Sequence, residues 1–360
     1  MFGRRVMIQR LRQRVGSLLL DRPRFAGLLP GKNSLRREPS NWVRFHNRGE
    51  RLIPAPNGSG VDCDWRWTSD LNICRLFPSV GRRLLTAALN EWPIRMLDQP
   101  PKPESDPQIS FIIGHRGAEK IPHLLATLRS LFGQEGCLLE IVVVEQAEEG
   151  LLPGVLPDGV RYILTRPPVR QLPYSRAWAF NVGARHARGR VLVFHDNDLL
   201  APSRYGSELV ARIARGVQAA RLQRFVFYLS EAATERACAG QAWNTVVPQR
   251  VQQNSDGGTL AVERNAYFKI GGHDEAFIGW GGEDNEMFDR CRALACDPFG
   301  FLPFVHLHHL SQPRQPDPQG FMRRLQDRLA IPRSVRIAEL SSRPLGQEAG
   351  PWNLQAKRDD

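Results

Sequence analysis

The sequence predicts an α/β fold in which a mostly parallel sheet carries helices on both faces. Short apolar runs rich in β-branched and aromatic residues, typical of buried strands, alternate with segments whose apolar residues recur at helical spacing. Strands joined through helices pair in parallel and bury both faces of their sheet. The predicted strands are residues 109–113, 140–145, 161–164 and 190–194, and the predicted helices are residues 121–132 and 175–187.

The second half of the chain continues this pattern, with predicted strands at 224–229 and near 258–262, a glycine-rich acidic segment at 271–290 and a close at 305–309. A stiff, proline-rich segment, residues 98–107, indicates a domain boundary. We therefore predict a basic, tryptophan-containing N-terminal extension or accessory module (1–105), an α/β domain (106–312), and a polar C-terminal helix and tail (313–360).

The positive charge is concentrated near the N-terminus. Residues 1–51 hold 13 Lys and Arg residues against three acidic residues, so they carry most of the formal net charge of +12. A basic tail of this kind does not indicate a nucleic-acid-binding domain. Residues 1–30 have the spacing of a basic amphipathic helix, which leaves two alternatives open. Residues 1–50 either contact an anionic membrane surface or pack on their own domain.

The sequence contains no stretch with the length and apolar character of a transmembrane helix or a secretory signal. The six cysteines are scattered without a C-x-x-C pair, which predicts reduced thiols. We therefore expect a cytoplasmic protein, with its basic segment at the inner face of the membrane if it binds one.

An acidic motif follows the predicted strand 190–194. Asp196 and Asp198 are two positions apart, so in extended backbone both project to the same side. Open α/β sheets bind ligands at the carboxyl ends of their strands, where two converging carboxylates need a cation between them. Oxygen ligands favour Mg²⁺ or Mn²⁺. The alternative is a solvated loop whose aspartates cap the next helix.

A second candidate site lies in residues 279–286, Gly-Trp-Gly-Gly-Glu-Asp-Asn-Glu. The glycines permit close approach of the backbone to a ligand, and Trp280 offers a flat apolar surface for a sugar or base ring. Glu283 and Asp284 begin a predicted helix, so the alternative is a glycine-rich turn with an acidic cap. A cap requires neither a tryptophan between glycines nor two consecutive acids, so we favour a functional site.

Further motifs accompany these two. Residues 269–277, Lys-Ile-Gly-Gly-His-Asp-Glu-Ala-Phe, precede the glycine-rich segment. Residues 174–183 are similar to a pattern F-N-R-A-x-x-x-N-V-G, and residues 194–200 to F-x-D-V-D-L-x. Weaker similarities lie at 114–119 and 141–146. In this order, over about residues 108–310, the motifs resemble the β-1,4-galactosyltransferase family in its C-terminal galactosyltransferase region.

This resemblance implies a metal-dependent GT-A fold and the inverting transfer of a sugar from a UDP-linked donor. On the family's pattern, Asp198 binds the metal directly and Asp196 lies against the nucleotide. Arg116 and Arg176 match arginines that contact the uridine diphosphate, a role suited to the paired hydrogen bonds between guanidinium and phosphate. The expected cofactor is Mn²⁺ or Mg²⁺.

On the acceptor side, the resemblance implies that Glu283 and Asp284 hold the acceptor sugar and that Asp284 is the catalytic base. Trp280 matches a movable aromatic residue over the site. It lies with Gly281 and Gly282 in the segment expected to bind the acceptor.

The remaining metal ligand is expected in the segment His306-Leu-His-His309. Imidazoles two positions apart in an extended segment share a face, so His306 and His308 are favoured. The resemblance supports this pair through the subfamily whose motif ends in His-x-His. A related branch with His-x-x-His favours His309 instead.

The predicted function is transfer of a sugar, galactose being favoured, from a UDP-sugar to a hydroxyl of a glycan or glycolipid. The region 227–258 lacks the family's usual aromatic and lysine contacts to the donor, and Asn285 replaces a third acid, so the sugar stays open. The main alternative is a family 2-type GT-A transferase using UDP-GalNAc, UDP-GlcNAc or UDP-glucose. A nucleotidyltransferase is disfavoured because the chain lacks a Gly-rich, Lys-bearing triphosphate loop. A non-catalytic scaffold or nucleic-acid binder acting through the basic N-terminus is a distant alternative, and no nucleic-acid partner is expected.

Overall fold

The computed structural model describes residues 15–16, 39–56, 58–65, 68–100, 102, 105–167, 173–279, 281–310 and 320–347. The amphipathic helix predicted in residues 1–30 falls outside this range except at 15–16, and so do Trp280 and the end of the tail. The expectations for these segments stay predictions. Within the described residues, no helix has both the length and the apolar character needed to cross a membrane.

The strands, in chain order, are β1 Leu52–Pro54, β2 Val61–Cys63, β3 Ser69–Asp70, β4 Ile109–His115, β5 Leu139–Gln146, β6 Arg161–Thr165, β7 Val191–His195, β8 Leu199–Leu200, β9 Ala219–Ala220, β10 Gln223–Tyr228, β11 Arg250–Gln253, β12 Thr259–Glu263, β13 Cys296–Asp297 and β14 Leu302–His306. The helices are α1 Asn72–Leu76, α2 Pro78–Glu91, α3 Ile121–Phe132, α4 Arg176–His186, α5 Tyr205–Ala214, α6 Glu231–Cys238, α7 Arg264–Lys269, α8 Glu283–Cys291, α9 Gly320–Ala330 and α10 Arg333–Ser341. Each strand and helix predicted between residues 109 and 263 is observed with its ends shifted by two residues or fewer.

The main sheet has the strand order β13-β9-β12-β7-β4-β5-β6 within the described residues. β4, β5, β6 and β7 are parallel, and β12 runs against the other described strands of this sheet. The predicted α/β class with a mostly parallel sheet is therefore confirmed. Because β4 pairs with β7 in the register Ile113↔His195, the segments holding Arg116 and Asp196 leave the sheet at the same edge.

Helices cover both faces of the main sheet, because successive residues of each strand point to opposite sides. On one face, Ile112 and Val142 pack in a cluster with Trp178 of α4. On the other face, Ile113 and Val143 belong to the cluster that includes the buried leucines of α3. The uninterrupted apolar runs of β4 and β5 are thus explained, since both faces of these strands are buried.

The second sheet, β3-β11-β10-β14-β8, joins distant parts of the chain. β3 lies in the predicted N-terminal extension and pairs with β11. Trp42 and Leu84, also in the extension, are fully buried in the same hydrophobic cluster as Phe111 of β4. The described part of the extension therefore shares its core with the α/β domain rather than folding apart from it.

The helices α9 and α10, in the predicted C-terminal segment, pack against α8. Glu286 of α8 is fully buried and accepts hydrogen bonds from Arg290 at 2.7 and 2.9 Å and from Arg336 of α10 at 2.5 Å. Arg336 also pairs with Asp289 at 2.5 Å. Because a buried carboxylate is stable only when it is paired, this network holds α8, the helix that begins with the predicted acceptor-side acids.

We expect Glu286→Gln to lower the free energy of unfolding by about 3–5 kcal/mol, because it leaves two buried arginines without their shared carboxylate. Arg333→Met is the matched control. Arg333 pairs with Asp289 at 2.9 Å, but its side chain is 37% exposed. Its loss should therefore cost less than about 1 kcal/mol. Urea unfolding measures both variants, and equal losses of stability would contradict a special role for the buried network.

Candidate active site

The acidic motif lies directly after β7, in a turn held by buried side chains. His195 is fully buried, its Nε2 donates to the carbonyl of Leu199 at 2.8 Å, and its Nδ1 accepts from Thr259 Oγ1 at 2.9 Å. Burial lowers the pKa of His195 to about 4, so this imidazole is neutral and supports the turn. The amide of Asp196 donates to the carbonyl of Gly258 at 2.9 Å, which ties the turn to the residue before β12.

Strand pairing brings two histidines to Asp198. β8 begins directly after Asp198 and pairs with β14 in the register His306↔Leu199. The amide of Leu307 also donates to the carbonyl of Asp198 at 2.9 Å. As a result, His306 Nε2 lies 3.3 Å from Asp198 Oδ1, and His309 Nε2 lies 3.3 Å from Oδ2. Ligand atoms of these three residues all lie within 4.8 Å of one another, close enough to bind one metal ion.

The main chain orients both imidazoles. His306 Nδ1 lies 2.7 Å from the carbonyl of Leu307, and His309 Nδ1 lies 3.0 Å from that of Leu310. Because a carbonyl only accepts, each Nδ1 carries a proton and each Nε2 is turned toward Asp198. Each Nε2 therefore meets the carboxylate across a shared proton or a cation. A carbonyl partner at the far nitrogen is the usual support of a metal-bound histidine, so this donor set fits a divalent ion.

His308, predicted with His306 as a metal ligand, does not join this group; among the described residues the group contains His309 instead. β14 ends at His306, so the alternation of side chains along a strand no longer applies at His308. The amide of His308 donates to Thr234 Oγ1 at 2.7 Å, and its carbonyl accepts from His123 Nε2 at 2.7 Å. Among the described residues the geometry therefore favours His306 and His309, the alternative His-x-x-His spacing, over the predicted pair His306 and His308, and the assignment of the metal ligands stays a prediction.

Lys120, which no sequence motif indicated, also pairs with Asp198. Its Nζ lies 2.8 Å from Asp198 Oδ2. Burial alone would raise the pKa of Asp198, but His306, Lys120 and His309 outweigh burial and hold this pKa well below its usual range. Asp198 is therefore ionised at neutral pH. The only sequence signal for Lys120 was its place shortly after β4, whose end lies at the same sheet edge.

One guanidinium joins the acidic motif to the predicted acceptor side. Arg176, the first residue of α4, pairs through Nη2 with Asp196 Oδ1 at 2.6 Å. Its Nη1 lies 2.5 Å from Asp284 Oδ1 and 3.3 Å from Glu283 Oε1. Three carboxylates from two distant segments thus converge on one positive charge. The predicted donor contact of Arg176 remains a prediction, and in the structure this arginine lies between the donor-side and acceptor-side acids.

The excess of negative charge around Arg176 acts on Asp284. Burial, together with the neighbouring charges of Glu283 and Asp196, raises the pKa of Asp284 to about 7 against the opposing charge of Arg176. The same acids outweigh burial and raise the pKa of Arg176 well above its ordinary value. The three acids thus hold the proton on Arg176, while burial and the two neighbouring acids favour the protonated form of Asp284. A carboxyl group with a pKa near 7 is suited to accept a proton from a hydroxyl.

Glycines allow the backbone to approach Asp284 from two sides. Gly281 and Gly282, just before α8, have φ angles of 102° and 93°, which only glycine adopts readily. A Cβ at Gly282 would lie 2.8 Å from a ring carbon of Phe277. A Cβ at Gly257 would lie 2.6 Å from Asp284 Oδ2. The predicted close approach of this backbone to a ligand stays a prediction, and Gly257 adds a contact with Asp284 that sequence reasoning missed.

Arg116 follows β4 and is half-buried at the same sheet edge. Burial raises the pKa of Tyr174, and the charges of Arg176 and Arg116 oppose that change, so both arginines lie near this phenol. The carbonyl of Tyr174 accepts from the amide of Gly279 at 2.9 Å, which links two of the sequence motifs. Tyr174 Oη is buried and has no hydrogen-bond partner among the described residues. The structure thus brings the predicted donor-side and acceptor-side residues to one edge.

Two protein families match this region of the chain. Residues 112–268 match glycosyl transferase family 2, and residues 245–310 match a family described as the N-terminal domain of galactosyltransferase. Together the two matches extend from β4 to the histidine cluster. They confirm the predicted resemblance to glycosyltransferases over residues 112–310. No curated protein matches the chain significantly.

Solved structures with a similar arrangement share little sequence with the chain. A Pyrobaculum calidifontis mannosyltransferase in complex with GDP-Man and Mn²⁺ is 18% identical, covering 71% of this chain and 72% of its own, with a TM-score of 0.41. The catalytic domain of Drosophila β1,4-galactosyltransferase 7 with xylobiose is 18% identical, covering 56% and 71%, with a TM-score of 0.33. Glucosyl-3-phosphoglycerate synthase from Mycobacterium tuberculosis, with Mn²⁺, UDP and phosphoglyceric acid, is 17% identical, covering 68% and 87%, with a TM-score of 0.40. Similarities this low support no conclusion about the donor, acceptor or metal of this chain.

Substitution of single histidines distinguishes the candidate pair His306 and His309 from the pair His306 and His308. We expect His309→Ala to weaken Mn²⁺ binding about tenfold or more, because it removes a proposed ligand, as His306→Ala also does. His308→Ala is the matched control. Both hydrogen bonds of His308 described above use main-chain atoms, which alanine keeps. Calorimetric titration with Mn²⁺ distinguishes the pairs, and loss of binding in His308→Ala alone would restore the His-x-His assignment.

Proposed function

We propose that this protein is a metal-dependent, inverting glycosyltransferase that moves a sugar, with galactose favoured, from a UDP-sugar to a hydroxyl of a glycan or glycolipid. The observation that carries this proposal is that one arginine links two segments of different chemistry. Arg176 pairs with Asp196, two residues before Asp198 of the carboxylate–imidazole group, and also with the Asp284 carboxyl. The family matches support sugar transfer, and the match over residues 245–310 favours galactose.

On the donor side, Asp198, His306 and His309 would hold Mn²⁺ or Mg²⁺, which supplies positive charge to the donor's diphosphate when it is bound. Arg116, half-buried at the same edge, would donate hydrogen bonds to that diphosphate. Arg176 holds Asp196 beside the expected nucleotide position. Positive groups fixed in advance stabilise the negative charge that develops on UDP as it leaves.

On the acceptor side, Asp284 takes the proton of the attacking hydroxyl while the hydroxyl oxygen forms its bond to the anomeric carbon. The bond between that carbon and the UDP oxygen breaks in the same displacement, so the anomeric configuration inverts. Glu283 Oε2 is buried and has no hydrogen-bond partner among the described residues. Glu283 is therefore suited to accept a hydrogen bond from a second hydroxyl of the acceptor sugar.

The match of residues 112–268 to glycosyl transferase family 2 favours a second candidate with the same reaction and a different sugar, drawn from UDP-GalNAc, UDP-GlcNAc or UDP-glucose. Both candidates use the same proposed metal ligands and base. Contact of residues 1–50 with an anionic membrane and a cytoplasmic location also remain proposals. They rest on the charge of a segment that lies largely outside the described residues.

A panel of UDP-sugars tests the proposed reaction. With Mn²⁺, we expect UDP release from one sugar, loss of release with a chelator, and loss in Asp198→Ala. Asp284→Asn should lower transfer to an acceptor by about 10²-fold or more while UDP affinity changes little, because only the proton acceptor is removed. If Asp284→Asn weakens UDP binding as much as transfer, Asp284 is not the base. If no UDP-sugar reacts and UDP does not bind in the presence of Mn²⁺, the proposed function is wrong.

The pH dependence of transfer follows from the pKa of Asp284, which is raised to about 7. The base must be ionised, so the transfer rate should rise as the pH increases through about 7 and fall below it. Under single-turnover conditions we expect this transition in the wild type, with UDP affinity measured in parallel as the control. A transfer rate that stays flat between pH 5.5 and 8.5 (about 1.5 units either side of that pKa) would contradict the assignment.

A further inference from the structure

The ammonium group of Lys120 lies at the proposed metal centre. Lys120 Nζ lies 2.8 Å from Asp198 Oδ2, the same oxygen that lies 3.3 Å from His309 Nε2. The Lys120 side chain is 13% exposed, so water screens this pair only in part. Neither the sequence motifs nor the family resemblance gave this lysine a role.

The positive charge of Lys120 opposes the binding of a divalent metal when no donor is bound. Asp198 supplies one negative charge to the candidate group, and the ammonium of Lys120 already balances it. The next carboxylate of the motif, Asp196, pairs with Arg176 at 2.6 Å. A divalent ion at Asp198 must therefore displace the ammonium from Oδ2 or lie beside it. Either arrangement weakens metal binding through competition or through repulsion between like charges.

A bound diphosphate changes this balance. It brings negative oxygens that attract both the ammonium and the divalent ion. Lys120 ends the short turn Ala118–Lys120, and its flexible side chain carries a point charge that needs no fixed geometry. With a diphosphate bound, the ammonium of Lys120 would be able to contact a phosphate oxygen instead of Asp198, and Asp198 Oδ2 would then be available to hold the metal. Metal and diphosphate then favour each other's binding.

We propose that Lys120 competes with the divalent metal for Asp198 and so makes tight metal binding conditional on the diphosphate of the donor. This rests on the proposed function, because it takes Asp198, His306 and His309 as the metal ligands. Lys120 is then a positioning residue that couples the binding of the metal to the binding of the diphosphate. The enzyme consequently binds its metal tightly only when the donor is present.

Titration of Mn²⁺, followed by the electron paramagnetic resonance signal of the free ion, tests this coupling without any turnover. The wild type, Lys120→Met and Lys120→Arg are titrated alone and with saturating UDP. We expect Lys120→Met to bind Mn²⁺ alone about tenfold more tightly than the wild type, because the competing charge is gone. The factor by which UDP tightens Mn²⁺ binding should fall by a similar amount. Lys120→Arg keeps the positive charge and should retain weak binding of Mn²⁺ alone.

Two further variants separate the possible failures. Asp198→Ala shows whether Mn²⁺ binds at this centre. If this variant binds Mn²⁺ as tightly as the wild type does, the proposed metal site is wrong, and so is the proposed role of Lys120. If Asp198 is needed for Mn²⁺ binding but Lys120→Met binds Mn²⁺ alone no more tightly than the wild type, only the role of Lys120 is overturned. Lys120→Gln, which is neutral but polar, repeats the comparison should Lys120→Met fold poorly.

Discussion

The site depends on one guanidinium, that of Arg176, which lies among three carboxylates. Like charges do not converge in a partly buried space without a cation between them, so Arg176 makes it possible for Asp196 to approach Glu283 and Asp284. One positive charge does not balance three negative ones. Burial, with the unbalanced charges of Glu283 and Asp196, raises the pKa of Asp284 to about 7 although Arg176 opposes the change, so the assembled site contains a proton acceptor.

The second centre depends on strand pairing rather than on charge. β8 has only two residues, yet its pairing with β14 sets His306 opposite the residue next to Asp198. Main-chain carbonyls then turn both imidazoles so that Nε2 faces the carboxylate. Two sheets therefore meet at the site. The main sheet presents Asp198, and the second sheet, to which the N-terminal extension adds β3, presents the histidines.

Regions outside the matched glycosyltransferase segment hold this arrangement in place. Trp42 and its neighbours extend the core beneath the second sheet, and α10 holds α8 through the buried contact between Arg336 and Glu286. Hydrophobic burial thus fixes the second sheet on one side of the site, and ion pairs fix α8 on the other side.

The sequence by itself determined the class of fold, the positions of the main strands and helices, and the acidic motifs. These are local properties: apolar runs and helical spacing follow from burial of each element, and Asp196 with Asp198 stand where a strand ends. Only the tertiary structure decided that His309 rather than His308 lies at Asp198, that Lys120 shares this carboxylate, and that the N-terminal and C-terminal segments pack on the domain. Each of these contacts joins residues distant in sequence. Strand register and the pairing of buried charges determine these contacts. Neither can be read from a local pattern of residues.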